Sequence, residues 1–132
     1  MIVAATCLAL NVYFEARSEP IIGQFAVAQV TLNRVKSSDY PDTVCSVVKQ
    51  SNANGCQFSW FCDGKSDKPK DNEAWAIAQW VAEITISDED GSLNLMPSSV
   101  IHYHADYVNP FWVSSCVAVR KYGRHIFYRR KT

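Results

Sequence analysis

Apolar residues recur along this chain first at the spacing of helices and later at that of strands. Four of them near the start are separated by four, three and four positions: Val3, Cys7, Leu10 and Phe14. That period is typical of an amphipathic helix, so the pattern predicts a first helix over residues 2–16. Pro20 separates it from the next helix, because proline disfavours a helical conformation in the residue before it and is favoured in a first helical turn.

Three more helices are predicted further along. The one over residues 20–35 is apolar almost all round, which is typical of a helix buried at the centre of a domain. The other two each have a side chain that can cap the first turn: residues 44–50 after Asp42 or Thr43, and residues 73–86 after Asn72.

The remaining segments predict a small β element. Residues 51–71 are rich in loop-forming side chains around the apolar run QFSWF, which predicts loops flanking a short strand. Residues 100–104 are β-branched and aromatic, and residues 117–128 resemble a hairpin that turns at Gly123. We therefore expect one α+β domain over residues 1–132, mostly helical with a small antiparallel element.

Charge and hydropathy exclude two classes of partner. The chain has 13 basic and 13 acidic residues, whereas a nucleic-acid-binding domain of this size usually carries a basic excess. Charges interrupt every apolar stretch before it reaches the length of a membrane span. We expect a monomer that neither binds nucleic acid nor inserts stably in a membrane. The basic residues between Arg120 and Lys131 are interpreted as solvated surface, with contact to a polyanion as the alternative.

The five cysteines contain no CxxC pair, which disfavours a zinc knuckle or a thioredoxin-type site. Cys7 lies in the first apolar helix and is interpreted as a small buried hydrophobic residue. Cys56 and Cys62 flank the QFSWF run and would close a short loop in an oxidising compartment. The pairing of Cys45, Cys56, Cys62 and Cys116 stays open.

Glu15 is the first candidate for chemistry, because it ends an apolar helix beside aromatic residues. Loss of water around a carboxyl group raises its pKa, as a general acid near neutral pH requires; the alternative is a surface pair with Arg17. Glu19 lies four residues later, a spacing that on a continuous helix would bring the two carboxylates together. Pro20 argues against continuity, so Glu19 is given a structural, supporting role at the start of the next helix.

Two other sets of polar residues carry weaker hypotheses. His102 and His104 share one face of a predicted strand, and with His125 they would form a zinc site; packing or groove roles are the preferred interpretation, and no metal or other cofactor is expected. Within QFSWF, alternation places Gln57 and Ser59 on one face, which suits the wall of a sugar groove. No GxSxG motif surrounds Ser59, which disfavours a serine hydrolase.

Four segments together resemble the SleB/CwlJ-type cell-wall hydrolases, the spore-cortex-lytic enzyme family. In chain order they are NVYFEARSEPIIGQFAVAQVTLNRVKSSDYPDTVCSVV, CQFSWFCDGK, IHYHADYVNPFW and GRHIFYR. Their order and spacing agree with the family from about residue 5 to residue 129. Phe14 and Ser18 stand where the family motif has glycines, which puts the shape of the sugar-binding subsite in doubt more than the chemistry.

The resemblance implies a lysozyme-like domain that cleaves peptidoglycan glycan strands between N-acetylmuramic acid and N-acetylglucosamine, commonly as a lytic transglycosylase. It implies that Glu15 is the acid and base and that Glu19 matches the second glutamate of the motif. Tyr103, His125, Ser59 and Gln57 are the residues expected to hold the sugars. The alternatives are a zinc-dependent amidase that uses the three histidines and a non-catalytic wall-binding module.

The expected place of action is the bacterial cell wall or periplasm. The first residues lack the basic segment of a signal peptide and lead directly into Glu15 and Arg17. A phage endolysin that passes the membrane with a holin-like partner fits this layout, and so does the catalytic part of a longer secreted enzyme. The phage interpretation is the one we favour from the sequence.

Overall fold

The computed structural model describes residues 3–88 and 91–131, and its elements follow the predicted order. Its α-helices are α1 (Ala4–Ala16), α2 (Ile21–Lys36), α3 (Val44–Val48) and α4 (Asn72–Ser87). Its strands are β1 (Ser51–Asn52), β2 (Gly55–Cys56), β3 (Val100–Ala105), β4 (Cys116–Tyr122) and β5 (His125–Arg130). Two short 3-10 helices cover Ser59–Phe61 and Phe111–Ser115. The predicted α+β class is confirmed.

The helix starts are set by capping side chains where the sequence offers them. Thr43, one of the two predicted candidates, caps α3 by accepting a hydrogen bond from the Ser46 backbone N–H at 3.1 Å. The cap of α4 is Asp71, which accepts from the Ala74 N–H at 3.1 Å. The prediction of Asn72 as the cap was wrong by one residue, because Asn72 already lies inside the helix.

The QFSWF run does not form the predicted strand. A two-residue hairpin of β1 and β2 precedes it, and Ser59–Phe61 turn as a 3-10 helix. A disulfide between Cys56 and Cys62 closes this segment into a loop, as the sequence predicted, and the buried Trp60 points into the core. The predicted strand was therefore wrong, although the predicted sides agree with the burial: Gln57 and Ser59 are exposed, whereas Phe58 and Trp60 are buried.

The larger sheet has the antiparallel order β3-β5-β4. Its β4–β5 turn contains Gly123 at φ 58°, as predicted for this hairpin. On the sheet face toward α2, Tyr103 lies opposite Phe127, and Phe127 is fully buried among α2 side chains. The opposite face carries His102 and His104, which pack against Trp112.

Helix α2 is the centre of the core, as its nearly continuous apolar surface predicted. Ala28 joins a cluster with α1 and α4, whereas Val27 and Val30 join a second cluster with the sheet. A third cluster unites α3 with the Phe58–Trp60 segment. Phe14 and Tyr103 each border two of these clusters, so the end of α1 lies where the three meet.

Buried polar side chains of α2 attach the sheet to the helices. Asn33 Nδ2 donates to the Val100 carbonyl at 2.8 Å, and Arg34 Nε donates to the Ile101 carbonyl at 2.8 Å. Buried polar groups need such partners, since an unpaired one costs about 1–3 kcal/mol. These two bonds fix the position of β3 along α2.

Cys7 forms a disulfide with Cys45, which links α1 to α3. The prediction that Cys7 is buried is confirmed. The interpretation of Cys7 as an unbonded hydrophobic residue was wrong, because it forms this disulfide. The partner was hidden because Cys7 and Cys45 are 38 residues apart, and only the packing of α3 against α1 brings them together. Cys116 is buried and free.

No helix in the described parts of the chain, residues 3–88 and 91–131, has the length and apolar character needed to cross a membrane.

Glu19 joins the α1–α2 junction to the β4–β5 turn. Its Oε1 accepts a hydrogen bond from the Arg124 backbone N–H at 2.7 Å. A Cβ atom on Gly123 would lie 2.6 Å from that oxygen and 2.8 Å from Pro20 Cδ. Gly123 is therefore required both by its positive φ and by this close approach.

We predict that Gly123→Ala lowers the free energy of unfolding by about 3 kcal/mol, because strain at positive φ adds to the clash with Glu19. The matched control is Gly64→Ala, which has φ +75° but no atom within 4 Å of the new Cβ; about 1 kcal/mol is expected there. Urea unfolding measures both. Equal losses in the two variants would mean that the contact with Glu19 contributes nothing.

Candidate active site

Glu15 lies in the last turn of α1, at the meeting point of the three core clusters. Its neighbours Tyr13 and Ala16 are each 1% exposed, and Phe14 is half-buried. Glu15 itself is only partly exposed. The apolar sequence of α1 thus carries the carboxyl group to the edge of the core without burying it completely.

Tyr103 on β3 holds this carboxyl group. Its hydroxyl donates to Glu15 Oε1 at 2.6 Å, a short distance typical of a hydrogen bond to a charged acceptor. Burial and the nearby Glu15 raise the pKa of Tyr103, so its hydroxyl stays protonated. Within the described residues, none donates a hydrogen bond to Oε2 of Glu15. One oxygen is therefore oriented, and the other is left for a ligand.

The surroundings of Glu15 raise its pKa above the usual value. Removal from water is the largest effect, and it outweighs the hydrogen bond from Tyr103 and the positive charge of Arg34, which both lower the pKa. A carboxyl group whose charged form is disfavoured by desolvation keeps its proton to higher pH. Glu15 thus has the property expected of a general acid, as predicted from its place in the sequence.

Arg34 is a buried cation that the sequence analysis did not identify. Its guanidinium group lies 5.0 Å from the centre of the Tyr40 ring and 5.2 Å from that of Phe58. Together with the bond to the Ile101 carbonyl, these rings hold the charge at a fixed distance from Glu15. A charged residue inside an otherwise buried helix was the signal that could have revealed it.

Asn11 connects α1 to Trp60 and to Thr31 of α2. Trp60 Nε1 donates to Asn11 Oδ1 at 2.9 Å, and Asn11 Nδ2 donates to Thr31 Oγ1 at 3.4 Å. The Trp60 ring stacks on Phe14 at a centroid distance of 4.9 Å. The ring of Phe14, which stands where the family motif has a glycine, is thus packed against Trp60 and is half-buried.

Glu19 and His125 lie behind Tyr103. His125 Nδ1 is 3.6 Å from Glu19 Oε1, and the His125 ring lies 5.1 Å from the Tyr103 ring. Burial, the largest cause, lowers the pKa of His125 despite the nearby Glu19. Only 7% of the surface of His125 is exposed, which fits support of Tyr103 better than direct contact with a sugar. The predicted role of His125 in holding a sugar stays a prediction.

The three histidines do not converge on one point. His102 and His104 face Trp112, whereas His125 packs beside Tyr103 and Phe127 on the opposite face. His104 also approaches the Tyr128 hydroxyl at 2.7 Å. Across residues 3–88 and 91–131, no three His, Cys, Asp or Glu side chains are grouped so as to hold a metal ion. The zinc amidase alternative therefore lacks its ligand set.

Gln57 and Ser59 are both exposed. Gln57 lines an open groove of about 690 Å³ on the solvent-facing side of the sheet, which does not include Glu15, Ser59, Tyr103 or His125. Ser59 starts the 3-10 turn that carries Trp60. Neither residue is hydrogen-bonded to Glu15, and their predicted roles in sugar binding stay predictions.

Residues 18–128 match the family model described as cell wall hydrolase. The chain belongs to the cell wall hydrolase family. The matched region covers most of the chain and begins three residues after Glu15, so the match does not itself include the candidate acid. The resemblance read from the sequence motifs is confirmed.

Two proteins similar to this chain are spore cortex-lytic enzymes. The spore cortex-lytic enzyme of Bacillus cereus is 29% identical over 120 residues, and that of Oceanobacillus iheyensis is 32% identical over 125 residues. Each alignment covers 91% of this chain but only 42% and 39% of those proteins. The chain therefore spans about two-fifths of the length of these relatives.

Two solved catalytic domains share the fold of this cell wall hydrolase. One is that of the SleB protein of Bacillus cereus, with TM-score 0.69, 28% identity and coverage of 96% of this chain and 89% of that one. The other is that of the germination-specific lytic transglycosylase SleB of Bacillus anthracis, with the same TM-score and identity and 93% of that chain covered. The lysozyme-like fold expected from the resemblance is confirmed.

We predict that Tyr103→Phe raises the pKa of Glu15 further, because it removes a hydrogen bond that favours the charged form. NMR titration of the Glu15 side-chain carboxyl carbon in the folded protein measures this shift. Tyr107→Phe is the matched control, since Tyr107 is 74% exposed. An unchanged or lowered Glu15 pKa in Tyr103→Phe would contradict the described hydrogen bond.

Proposed function

We propose that this domain is a lytic transglycosylase that cleaves the bond between N-acetylmuramic acid and N-acetylglucosamine in peptidoglycan, with Glu15 as its acid and base. The observation that carries the proposal is the Glu15 carboxyl group, with a raised pKa, one oxygen held by Tyr103 and the other without a described donor. The cell wall hydrolase family and the named activity of the Bacillus anthracis structure support the same reaction.

In the first step, protonated Glu15 gives its proton to the oxygen that links the two sugars. The bond from that oxygen to the muramic carbon then breaks, and positive charge develops on the muramic ring. The raised pKa keeps the proton available for this transfer. Tyr103 stabilises the carboxylate that remains, because its hydroxyl donates to Oε1.

In the second step, Glu15 acts as the base. It takes the proton from the muramic 6-hydroxyl group, whose oxygen attacks the positive carbon and closes a 1,6-anhydro ring. The proton that Glu15 gave up is thereby recovered, and no water is consumed. Attack by water instead would make the same carboxyl group serve a hydrolytic muramidase.

The placement of Glu19 supports a mechanism with a single carboxyl group. Retaining glycosidases use a second carboxylate about 5 Å from the first as a nucleophile. Glu19 is the nearest acid along the chain, but its Oε1 accepts the Arg124 N–H and approaches His125. A carboxylate occupied in holding the hairpin turn is poorly placed to attack a sugar.

The proposed substrate places the activity at the bacterial cell wall. The two disulfides, Cys7–Cys45 and Cys56–Cys62, fit action in an oxidising compartment outside the cytoplasm. Release by a phage holin-like partner, a monomeric state and the lack of nucleic-acid binding stay predictions of the sequence.

We predict that Glu15→Gln reduces release of soluble muropeptides from purified peptidoglycan by at least about a hundredfold, since general acid–base catalysis contributes about 10²–10⁴-fold. Mass spectrometry should show wild-type products lighter by one water than hydrolysis products. Glu19→Gln is the matched control, because its amide oxygen still accepts the Arg124 N–H. We expect it to keep activity within about tenfold of wild type.

Three results would contradict the proposal in different ways. Undiminished cleavage by Glu15→Gln would exclude Glu15 as the acid. Products of hydrolytic mass would keep Glu15 but replace the transglycosylase by a muramidase. Release of free peptides, with intact glycan strands, would place the activity among the amidases.

A further inference from the structure

The open groove beside the sheet has no part in the mechanism described so far. His102 and Trp112 form its floor, stacked at a centroid distance of 5.0 Å. Asn52 of the β1–β2 hairpin, Gln57 directly after it and Arg130 at the end of β5 also line the groove. Its volume of about 690 Å³ is within the range of about 300–1,000 Å³ seen for small-molecule sites.

The groove has a positive electrostatic character. Arg130 and Lys131 line it, and among the described residues no acidic side chain does. Asp39 pairs with Arg130 at 2.7 Å, which leaves Lys131 as a cation for which the described residues offer no salt bridge. Arg34 adds a further buried charge beneath Tyr40, a lining residue.

His102 adds no charge to the groove, although the nearby cations affect its pKa. Burial, followed by the charges of Arg34 and Arg130, lowers the pKa of His102 to about 4. The imidazole is therefore neutral at neutral pH and offers a flat ring beside Trp112. The groove thus combines cations with the amide side chains of Asn52 and Gln57, a set that suits carboxylates and peptide groups.

The position of the groove relative to Glu15 argues against a continuous sugar strand as its occupant. Consecutive side chains of a strand point to opposite faces; His102 lines the groove, while Tyr103 contacts Glu15 on the other face. A flexible chain attached to the muramic sugar would reach around the edge of β3, which is an edge strand. An extended peptide of about five residues spans roughly 17 Å.

We infer that this groove binds the stem peptide of the peptidoglycan substrate, with Lys131 receiving its carboxylates and Asn52 and Gln57 its peptide groups. The inference rests on the proposed function, because the stem peptide reaches the groove from the muramic acid at Glu15. A strand stripped by an amidase keeps one lactyl carboxylate on each muramic acid, but that group is held close to the sugar ring. The carboxylates of a stem peptide lie several residues further out, where they can reach Lys131. The groove therefore sets a preference for peptide-bearing strands.

The test compares two substrates: glycan strands that carry stem peptides, and the same strands after an amidase has removed them. We expect Lys131→Glu to lower the ratio of kcat/KM for peptide-bearing over stripped strands by about fivefold, as the reversal of one exposed charge allows. Lys68→Glu is the matched control, since Lys68 is exposed and outside the groove. Its ratio should equal that of the wild type.

A binding measurement makes the result independent of cleavage. Free stem tripeptide is titrated into the protein while the indole N–H resonance of Trp112 is followed by NMR. We expect a saturable shift in the wild type and in Lys68→Glu, and its loss in Lys131→Glu. Saturable binding without any cleavage would support the groove and refute the proposed function.

Two outcomes would overturn the inference. An equal loss on both substrates in Lys131→Glu would assign the groove to the glycan strand itself. An unchanged ratio together with an unmoved Trp112 resonance would mean that no stem peptide binds there, whatever the activity of Glu15.

Discussion

The hydrogen bond from Tyr103 to Glu15 connects parts of the chain that are 88 residues apart, and the site depends on it. It exists because α2 holds β3 in place through Asn33 and Arg34, while Trp60 holds α1 through its hydrogen bond to Asn11. The carboxyl group is thereby fixed between the helices and the sheet. A shift of β3 along α2 would remove Tyr103 from Glu15 and leave the acid without orientation.

Two opposing effects set the chemistry of Glu15. Desolvation favours the protonated acid, whereas Tyr103 and Arg34 favour the carboxylate, and desolvation is the larger effect. A group that must both give and receive a proton needs neither form to be strongly preferred. The buried neighbours of Glu15 supply the first effect, and the two polar contacts limit it. This balance explains how one carboxyl group can serve both steps of the proposed reaction.

Periodicity predicted the four α-helices, the β4–β5 hairpin and the partly desolvated acid at the end of α1, because each is a local pattern. It failed for the Phe58–Trp60 segment, whose conformation is decided by a disulfide and by the burial of Trp60. The Cys7–Cys45 bond was equally out of reach, since its partners meet only through tertiary packing. Arg34 was missed because its role depends on two rings and a carbonyl from distant segments. The roles of Gln57, Ser59 and His125 in sugar binding remain predictions, and none of the three is hydrogen-bonded to Glu15.

The central claim is that a desolvated Glu15 is the proton donor. The most direct test compares two numbers for the wild type: the Glu15 pKa measured by NMR titration, and the pKa of the descending limb of kcat/KM on peptidoglycan fragments. The pH dependence of kcat/KM reports groups of the free enzyme, so the account predicts that the two values coincide and lie above the usual range for glutamate. A descending limb at a different pH, with Glu15 fully ionised where activity is highest, would contradict it.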